Sequence, residues 1–258
     1  MRIATWNVNS VRARLESLLA WLEIRSPDVV CLQETKCLDE RFPREELEGL
    51  GYQVAHHGQR AYNGVAILSR RSLEDVVRGI GDERFDSEAR VIGAQIEDFL
   101  VLSVYAVNGV EVGHDRFDHK LRWFRALRDF LALRYPMNEK VVLCGDLNVT
   151  IDDRDVWDPQ RWRERILCST PEREALEGIL ALGFKDALRK FRQEGGVYTW
   201  WDYRLRGFER GWGLRIDHML LSAPAFDACT GFEVDVEARE GKKPSDHAPV
   251  VATFGDPG

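Results

Sequence analysis

Side chains of the types used in acid–base and metal-dependent chemistry stand at the ends of several apolar runs. The run at residues 141–144 is followed by Gly-Asp-Leu-Asn, which places Asp146 and Asn148 at its end. Because turns also use glycine, aspartate and asparagine, this tetrapeptide alone favours a simple turn. Similar side chains border other runs at Asn7, Asn9, Glu34, Tyr105, Asn108, Asp217, Asp246 and His247.

Each of these residues has an ordinary explanation by itself, since turn and capping roles dominate polar side chains at strand ends. Together they supply carboxylates, carboxamides, a tyrosine and a histidine, all at the borders of apolar runs. Loops that are held by a rigid scaffold are where catalytic residues gather. The set as a whole therefore predicts a catalytic site formed by strand ends.

Basic and aromatic residues alternate in the window 185–215. This window holds eight basic and four acidic residues, a net charge of +4, whereas the remainder of the chain carries −11. Interleaved cations and aromatic rings suit a phosphate backbone with unstacked bases or sugars. A solvated face beside an aromatic core strand explains the same composition. The aromatic residues are Phe191, Tyr198, Trp200, Trp201, Tyr203, Phe208 and Trp212.

The composition of the 258-residue chain is ordinary for a globular protein, with 44% hydrophobic and 31% charged residues. Its net charge of −7 argues by itself against a nucleic-acid partner. No apolar stretch approaches the ~18 residues of a membrane span, and no signal-peptide block opens the chain. We therefore predict a cytoplasmic protein without a membrane partner. Five scattered cysteines without a CxxC pair predict neither a zinc site nor a disulfide framework.

Strand-like runs dominate the sequence, and three segments have helical period. Apolar residues recur at helical spacing over residues 11–22, 117–131 and 169–180, and Thr170 is predicted to cap the third helix before Pro171. Many strands without a linker or repeat predict one domain, 1–258, of sheet packed on sheet with helices outside. The strand-like runs are 2–8, 29–33, 52–57, 64–69, 91–96, 100–106, 141–147, 198–201, 216–222 and 249–254.

Seven motifs occur in one order: TWNVNSVRARL, LQETK, YAVNG, GDLNV, YTWWDYR, RIDHMLLS and SDHAPV. This ordered set, which spans residues 2–254, resembles the exonuclease III branch of the endonuclease/exonuclease/phosphatase superfamily, the abasic-site endonucleases of base excision repair. The resemblance implies a four-layer α/β sandwich with two mixed sheets face to face and helices on the outer faces. It also implies hydrolysis, dependent on Mg²⁺ or Mn²⁺, of the phosphodiester 5′ to abasic sites in duplex DNA. Many members also digest 3′ ends or remove 3′-blocking groups.

The resemblance implies a metal site and a water-activating group. Glu34 matches the principal metal ligand, and a single glutamate with substrate phosphate suits a hard cation that keeps several waters. Asn7, Asp246, Asp146 and Asn148 are implied as further members of the metal site. Asp146 would also orient or deprotonate the attacking water, and Asn148 would hydrogen-bond the scissile phosphate region.

Three further residues are implied in catalysis. His247 would contact a phosphate oxygen as charge develops, and Asp217 would orient and charge the imidazole. Tyr105 would contact the phosphate or assist the leaving oxygen. Asp217, His247 and Tyr105 thus complete the implied catalytic set.

Substrate contacts follow from the same resemblance. Trp200 and Trp212 match residues of a pocket for an abasic sugar, which leaves the helix cheaply because it has no base to unstack. Leu214 or Ile216 would complete the apolar wall; the sequence leaves both choices open. The residues implied to bind the phosphates and the flanking DNA are Arg90, Asn108, Arg204, Arg206, Arg210 and Arg215.

Two other functions share part of the pattern. A phosphatase or phosphodiesterase acting on inositol phosphates, lipids or RNA would share Glu34, Asp146 and the Asp246–His247 pair, but it has little use for an abasic pocket. A relative that only binds DNA would be expected to lack these groups. The residues favour a repair hydrolase, which we expect to act as a monomer on duplex DNA with abasic sites or blocked 3′ ends.

Overall fold

The computed structural model describes residues 1–255, apart from the side chain of Leu205. In this part of the chain the strands are β1 (Arg2–Asn7), β2 (Val29–Gln33), β3 (Gln53–His57), β4 (Val65–Ser69), β5 (Glu74–Arg78), β6 (Val91–Ile96), β7 (Phe99–Tyr105), β8 (Lys140–Asp146), β9 (Lys185–Asp186), β10 (Trp200–Trp201), β11 (Gly213–Leu214), β12 (Asp217–Leu221), β13 (Cys229–Val234) and β14 (Val250–Phe254). The α-helices are α1 (Leu15–Arg25), α2 (Arg44–Gly49), α3 (Glu83–Asp86), α4 (Asp115–Arg134), α5 (Pro159–Trp162), α6 (Thr170–Leu180), α7 (Leu188–Phe191) and α8 (Ala223–Ala228).

Two six-stranded sheets carry most of these strands. The first has the order β13-β14-β1-β2-β4-β3 and the second the order β5-β6-β7-β8-β12-β9. The neighbours β1 and β2 are parallel, as are β7 and β8, whereas the other neighbours in both sheets are antiparallel. Both sheets are therefore mixed. The single domain over 1–258 stays a prediction, and its last three residues lie outside the described range.

Three layers of apolar side chains hold the sheets and helices together. Between the sheets, residues of β1 and β2 such as Ile3 meet residues of β7 and β8 such as Val142. Outside the second sheet, Phe124 of α4 and the helix α6 cover β7 and β8. Outside the first sheet, Leu18 and Leu22 of α1 pack on β1, β2 and β4. The predicted sandwich of two sheets with outer helices is confirmed.

The three predicted helices are present with shifted starts. Residues 117–131 lie within α4, but residues 11–14 form turns before α1 begins. The cap of α6 is Ser169 and not Thr170, so that prediction was wrong by one residue. The Glu172 carboxylate accepts hydrogen bonds from the Ser169 amide (3.2 Å) and hydroxyl (2.6 Å), while the Thr170 hydroxyl donates to Glu164 instead. A glutamate three residues into the helix completes this capping arrangement.

Four strands that the sequence did not predict are β5, β9, β11 and β13, and the two longer ones, β5 and β13, lie at edges of the six-stranded sheets. Both carry acidic residues and are largely exposed or half-buried, so they lack the apolar run that marks an interior strand. The predicted run 198–201 is a strand only at its last two residues, which pair with β11. Among residues 1–255 no helix combines the length and the apolar character needed to cross a membrane.

Candidate active site

The strand pairing brings the predicted residues to one edge of the sandwich. Because β1 and β2 are parallel, Asn7 at the end of β1 lies beside the end of β2, where Glu34 follows. In the second sheet, Tyr105 at the end of β7 pairs with Asp146 at the end of the parallel strand β8. The antiparallel strand β12 begins with Asp217, which also pairs with Asp146. Since the sheets lie face to face, both groups meet in one cleft.

Asn7 bridges the two carboxylates of this cleft. Its Nδ2 donates to Glu34 Oε1 (2.9 Å) and to Asp146 Oδ2 (2.8 Å). Its Oδ1 accepts a hydrogen bond from the Asn9 amide (2.9 Å). The Asn7 side chain is thus oriented by the backbone and bridges Glu34 and Asp146, and the implied role of its oxygen as a metal ligand stays a prediction.

Asn148 is likewise enclosed by hydrogen bonds. Its amide donates to Asp146 Oδ1 (2.9 Å), and its Nδ2 donates to Ala106 O (3.1 Å) and Asp146 Oδ2 (3.2 Å). Its Oδ1 accepts from Nδ2 of the exposed Asn108 (3.0 Å). The side chain of Asn148 thus fixes the Asp146 carboxylate, and the implied contact of its oxygen with a metal ion stays a prediction.

A lysine that the sequence analysis did not single out supports both asparagines. Lys120 of α4 is fully buried, and its Nζ donates to the carbonyl oxygens of Asn108 (3.1 Å) and Asn148 (2.6 Å). It also pairs with the Glu172 carboxylate. Burial lowers the pKa of Lys120, while Glu172 opposes that shift. The signal was in the sequence, because Lys120 lies three residues after Phe117, at a spacing that puts it on the apolar face of the helix.

His247 lies between two buried aspartates. Its Nδ1 is 2.8 Å from Asp217 Oδ2, and its Nε2 is 3.8 Å from Asp146 Oδ2. Burial alone would lower the pKa of the imidazole, but Asp217 and Asp146 raise it to about 10. Burial raises the pKa of Asp146 to about 7, with further increases from Asp217 and Glu34 and an opposing decrease from His247. At neutral pH the imidazole is therefore charged, and Asp146 is close to its titration point.

Glu34 presents the third acidic group of the cleft. Its backbone adopts a φ of 50°, and its carboxylate pairs with Lys36 at 2.7 Å. Burial raises its pKa, but Lys36 and Asn7 outweigh burial and bring the pKa below the ordinary value. Ligand atoms of Glu34, Asp146 and His247 all lie within 4.8 Å of one another. These three residues form the group within the described chain that could hold a metal ion.

Asp246 lies outside that group. Its Oδ1 accepts from Asn9 Nδ2 (2.9 Å), and its Oδ2 accepts from the Trp200 indole (3.0 Å). Both carboxylate oxygens are thus engaged by neighbouring side chains. The carboxylate of Asp246 thus joins the N-terminal loop to β10, and its implied role as a metal ligand stays a prediction.

Arg90 is buried behind Tyr105. Its side chain is 5% exposed, it pairs with Glu88, and it donates from Nη1 to the Tyr105 carbonyl (3.1 Å). Its guanidinium also lies 4.9 Å from the centre of the Tyr105 ring. The structure therefore corrects the prediction that Arg90 contacts DNA directly, because its partners are protein groups. Burial, Glu34 and Asp146 raise the pKa of Tyr105 well above its ordinary value, so its hydroxyl keeps its proton.

An apolar wall lies beside these polar groups. Leu214 and Ile216 are both buried in one cluster with Val156 and Leu167, and the half-buried Trp200 packs against it. The structure thus brings both candidates for the wall together with Trp200. Trp212 does not belong to this cluster, because its ring stacks on Trp157 instead.

The basic residues of the 185–215 window fall into two groups. Arg204, Arg206 and Arg210 are exposed. Arg215 is fully buried, and its guanidinium pairs with Asp155 (2.8 Å) and Asp186 (2.7 Å). The prediction that Arg215 binds phosphate was wrong, because this arginine has no exposed surface and both its faces are engaged by carboxylates.

The sequence is similar to known proteins over nearly its whole length. A model of the Endonuclease/Exonuclease/phosphatase family matches residues 4–247. A relative named exodeoxyribonuclease III, from Haemophilus influenzae, is 35% identical and covers 98% of this chain and 100% of its own.

Two solved structures are similar throughout. A 3′ phosphatase from Neisseria bound to a product DNA hairpin is 41% identical with a TM-score of 0.95, over 99% of both chains. An AP endonuclease from Archaeoglobus fulgidus is 37% identical with a TM-score of 0.96, over 98% of this chain and 99% of its own. The resemblance drawn from the seven motifs is confirmed, and this chain belongs to the endonuclease/exonuclease/phosphatase family.

Proposed function

We propose that this protein is a DNA-repair hydrolase that cleaves the phosphodiester 5′ to an abasic site in duplex DNA and leaves a 3′-hydroxyl. The observation that carries the proposal is the buried series Asp217–His247–Asp146 beside the Glu34 carboxylate. Similarity to an exodeoxyribonuclease III and to an AP endonuclease supports nuclease chemistry on DNA. Digestion of 3′ ends and removal of 3′-blocking groups would use the same centre, since both reactions hydrolyse a phosphate ester.

The donor atoms of the cleft fit Mg²⁺, with Mn²⁺ as a substitute. Glu34 and Asp146 offer carboxylate oxygens, which a hard cation prefers. Their ligand atoms lie within 4.8 Å of each other. His247, whose pKa is raised to about 10, keeps its proton at neutral pH and is not a suitable ligand. A bound Mg²⁺ would supply positive charge to the phosphate oxygens.

The residues of the cleft divide the proton transfers between them. Asp146 would accept a proton from the attacking water, because its buried carboxylate is oriented by Asn7 and Asn148 beside the Glu34 carboxylate. His247 would donate a hydrogen bond to the phosphate oxygen as negative charge develops, and Asp217 would keep the imidazole charged and oriented. Tyr105 would donate its hydroxyl proton to a phosphate or leaving oxygen. Asn148 would hold Asp146 in place.

Recognition of the abasic sugar would rest on the apolar wall. The half-buried Trp200 offers an apolar surface directly beside His247, to which its backbone pairs, and the fully buried Leu214 and Ile216 support Trp200 from behind. An extruded sugar without a base fits such a surface at little unstacking cost. The exposed residues Asn108, Arg204, Arg206 and Arg210 would contact phosphates on either side.

We propose that the protein acts as a monomer and that it is located in the cytoplasm. The similarity to bacterial exodeoxyribonuclease III supports a compartment that holds DNA. The substrate would be duplex DNA with abasic sites or blocked 3′ ends, and the relative bound to a product DNA hairpin supports such a partner.

The test uses a fluorescent duplex with one tetrahydrofuran abasic analogue, incubated with Mg²⁺ or with EDTA. Wild type should cut 5′ to the analogue only with metal, and Asp146→Asn should lose the incision. Asp98→Asn is the matched control, because it makes the same chemical change at an exposed site that pairs with Lys140.

Failure of wild type to cut this duplex with Mg²⁺ and with Mn²⁺ would contradict the abasic-site proposal. A duplex with a 3′-phosphate, tested in parallel, separates the two reactions. Cleavage of that end alone would leave a 3′-end-cleaning hydrolase of the same family. Full activity of Asp146→Asn would contradict the role given to Asp146.

A further inference from the structure

Two half-buried tryptophans stack on each other beside the apolar wall, and one of them, Trp157, also packs against its cluster. The ring centroids of Trp157 and Trp212 are 4.8 Å apart, with 13° between their planes. The Arg210 guanidinium lies 4.5 Å from the Trp212 ring centre, and the Arg161 guanidinium lies 5.6 Å and 5.7 Å from the two ring centres. We refer to Trp157, Arg161, Arg210 and Trp212 as the tryptophan platform.

The arginines of the platform, Arg161 of α5 and Arg210 of the loop 202–212, differ from two other arginines of that loop. Arg204 pairs with Asp202, and Arg206 pairs with Glu209. Within residues 1–255, neither Arg161 nor Arg210 makes an ion pair, although the chain as a whole is acidic. Two exposed guanidiniums over aromatic rings thus retain their positive charge for an anionic ligand.

The indole N–H groups of the platform, like those of Trp123, Trp162 and Trp201, have no protein acceptor in the described part of the chain. Trp6, Trp21 and Trp200 donate their indole N–H groups to protein acceptors. Neither Trp157 nor Trp212 does so in the described part of the chain, and both side chains are only half-buried. A pair of rings that served only as core would be expected to be covered, so the exposed surface of the rings and of the guanidiniums stacked on them is available to a ligand.

A chain of backbone pairings connects Trp157 of the platform to His247 of the cleavage centre. The Trp157 amide donates to the Gly213 carbonyl (3.2 Å), Leu214 pairs with Trp200, and Trp200 forms a bridge with His247. Three steps between neighbouring strands span roughly 14 Å. With about 3.4 Å per nucleotide step along one strand of a duplex, this distance corresponds to a few nucleotides.

We propose that the tryptophan platform binds an unpaired nucleobase of the DNA substrate, a few nucleotides from the phosphodiester that is cleaved. Every base offers a flat face for stacking, and guanidinium planes stack on bases while they neutralise the adjoining phosphate. A base that is paired inside a duplex does not expose that face. The platform therefore favours DNA with frayed, mismatched or displaced nucleotides beside the cleavage site. This inference rests on the proposed function, because it concerns the same substrate.

The test compares two labelled duplexes that carry the same phosphates. Each holds one abasic analogue and three adjacent unpaired nucleotides, which are thymidines in one duplex and base-free tetrahydrofuran residues in the other. Each duplex is made in two versions, with the unpaired nucleotides on the 3′ side or on the 5′ side of the abasic analogue. Fluorescence anisotropy in EDTA measures Kd without cleavage. Wild type should bind the thymidine duplex at least about 5-fold more tightly than the base-free one on one of the two sides.

Variants locate the preference. Trp212→Ala and Trp157→Ala should remove the thymidine preference and leave the Kd for the base-free duplex within about 2-fold, since only a stacking face is lost. Trp212→Phe should keep most of the preference because it retains an aromatic face. Phe191→Ala is the matched control, as Phe191 is also exposed and has the Lys190 ammonium 5.9 Å from its ring centre.

Several results would overturn the inference. One is an equal Kd of wild type for the two duplexes, with the unpaired stretch on either side. Another is an equal loss of affinity for both duplexes in Trp212→Ala. The third is a loss of the thymidine preference in Phe191→Ala that is as large as in Trp212→Ala. Incision of a fully paired abasic duplex, measured separately with Mg²⁺, reports on the proposed function and needs no unpaired base. The two failures are therefore distinguishable.

Discussion

Two polar regions beside the cleavage centre are built in opposite ways. At the strand ends, buried charges each have several partners, as Lys120 has in two carbonyl groups and Glu172. On the loop 202–212, exposed arginines pair with one nearby carboxylate, as Arg204 does with Asp202, or have no ion pair in the described chain, as with Arg210. The first region is fixed by the fold, whereas the second keeps its charge available for a ligand.

The energetics of burial explain this difference. A buried charge without partners costs several kcal/mol, so such groups persist only in fully satisfied networks. Exposed ion pairs contribute about 0–1 kcal/mol, so the arginines of the loop can exchange carboxylates for phosphates at little cost. Substitutions should therefore affect turnover and stability in the first region, and DNA binding in the second.

The largest effect is expected for Asp217→Asn. Without this carboxylate the burial of His247 is no longer offset by its closest partner, and the imidazole loses the charge that contacts the phosphate. Single-turnover incision should slow by about 10²–10⁴-fold, while the Kd for DNA stays within a few-fold. Asp227→Asn, an exposed aspartate on α8, is the control. A loss below about 10-fold would show that His247 acts without Asp217.

Lys120→Met should destabilise the fold by about 3–5 kcal/mol, because it leaves the buried Glu172 carboxylate without its cation. Urea unfolding measures the change, and Arg128→Ala, which removes a half-buried α4 side chain with a partly exposed ion pair to Asp129, should shift it by less than about 1 kcal/mol. The double variant Lys120→Met/Glu172→Gln should lose less than the sum of the single changes. Additive losses would mean that the two side chains stabilise the protein independently.

Glu88 is less buried than the charges at the strand ends but has two arginine partners, Arg90 and Arg116. Its contribution should appear in the pH dependence of the unfolding free energy. Burial opposes its ionisation, but Arg116 and Arg90 lower the pKa of this carboxyl from 4.5 to about 2. Its contribution to stability is complete above pH 4.5 and is lost as the pH falls towards 2. Between pH 6 and pH 3, wild type should lose about 1 kcal/mol more unfolding free energy than Glu88→Gln. Parallel pH profiles for the two proteins would contradict the ion-pair assignment.

The smallest effect on stability is expected for Arg204→Ala combined with Arg206→Ala. Both arginines are exposed, so the unfolding free energy should change by less than about 0.5 kcal/mol. The slope of log K for DNA against log salt should become shallower by about 1 for each arginine that contacts a phosphate. Arg128→Ala should leave the slope unchanged. An unaltered slope in the double variant would mean that this loop does not face the DNA backbone.

The sequence predicted the sandwich and the residues at its strand ends because both depend on local patterns. Apolar runs define β2 and β8, and the polar residues that follow them, such as Glu34 and Asp146, had to lie near the sheet edge. Composition did not separate Arg204 from Arg215, because exposure depends on which distant carboxylates meet each guanidinium. Asp155 is 60 residues from Arg215 in sequence, and only the fold brings them together.

Hydrogen-bond direction was equally inaccessible from sequence. Asn7 and Asn148 were expected to offer oxygens to a metal ion, yet both oxygens accept hydrogen bonds from neighbouring groups. The stacking of Trp157 on Trp212 joins two loops without a shared local pattern, so no periodicity could indicate it. Residue types at strand ends thus indicate where chemistry occurs, but their roles depend on long-range contacts.

The pairing of β1 with β14 determines when the protein can become active during its synthesis. β1 is an interior strand between β14 and β2, and the amino group of Met1 donates to the Phe254 carbonyl (2.6 Å). β1 therefore cannot pair with β14 until the residues between them have been synthesised. A nascent chain that ends before His247 already carries Glu34 and Asp146, but it lacks the imidazole that lies between Asp146 and Asp217 in the folded protein.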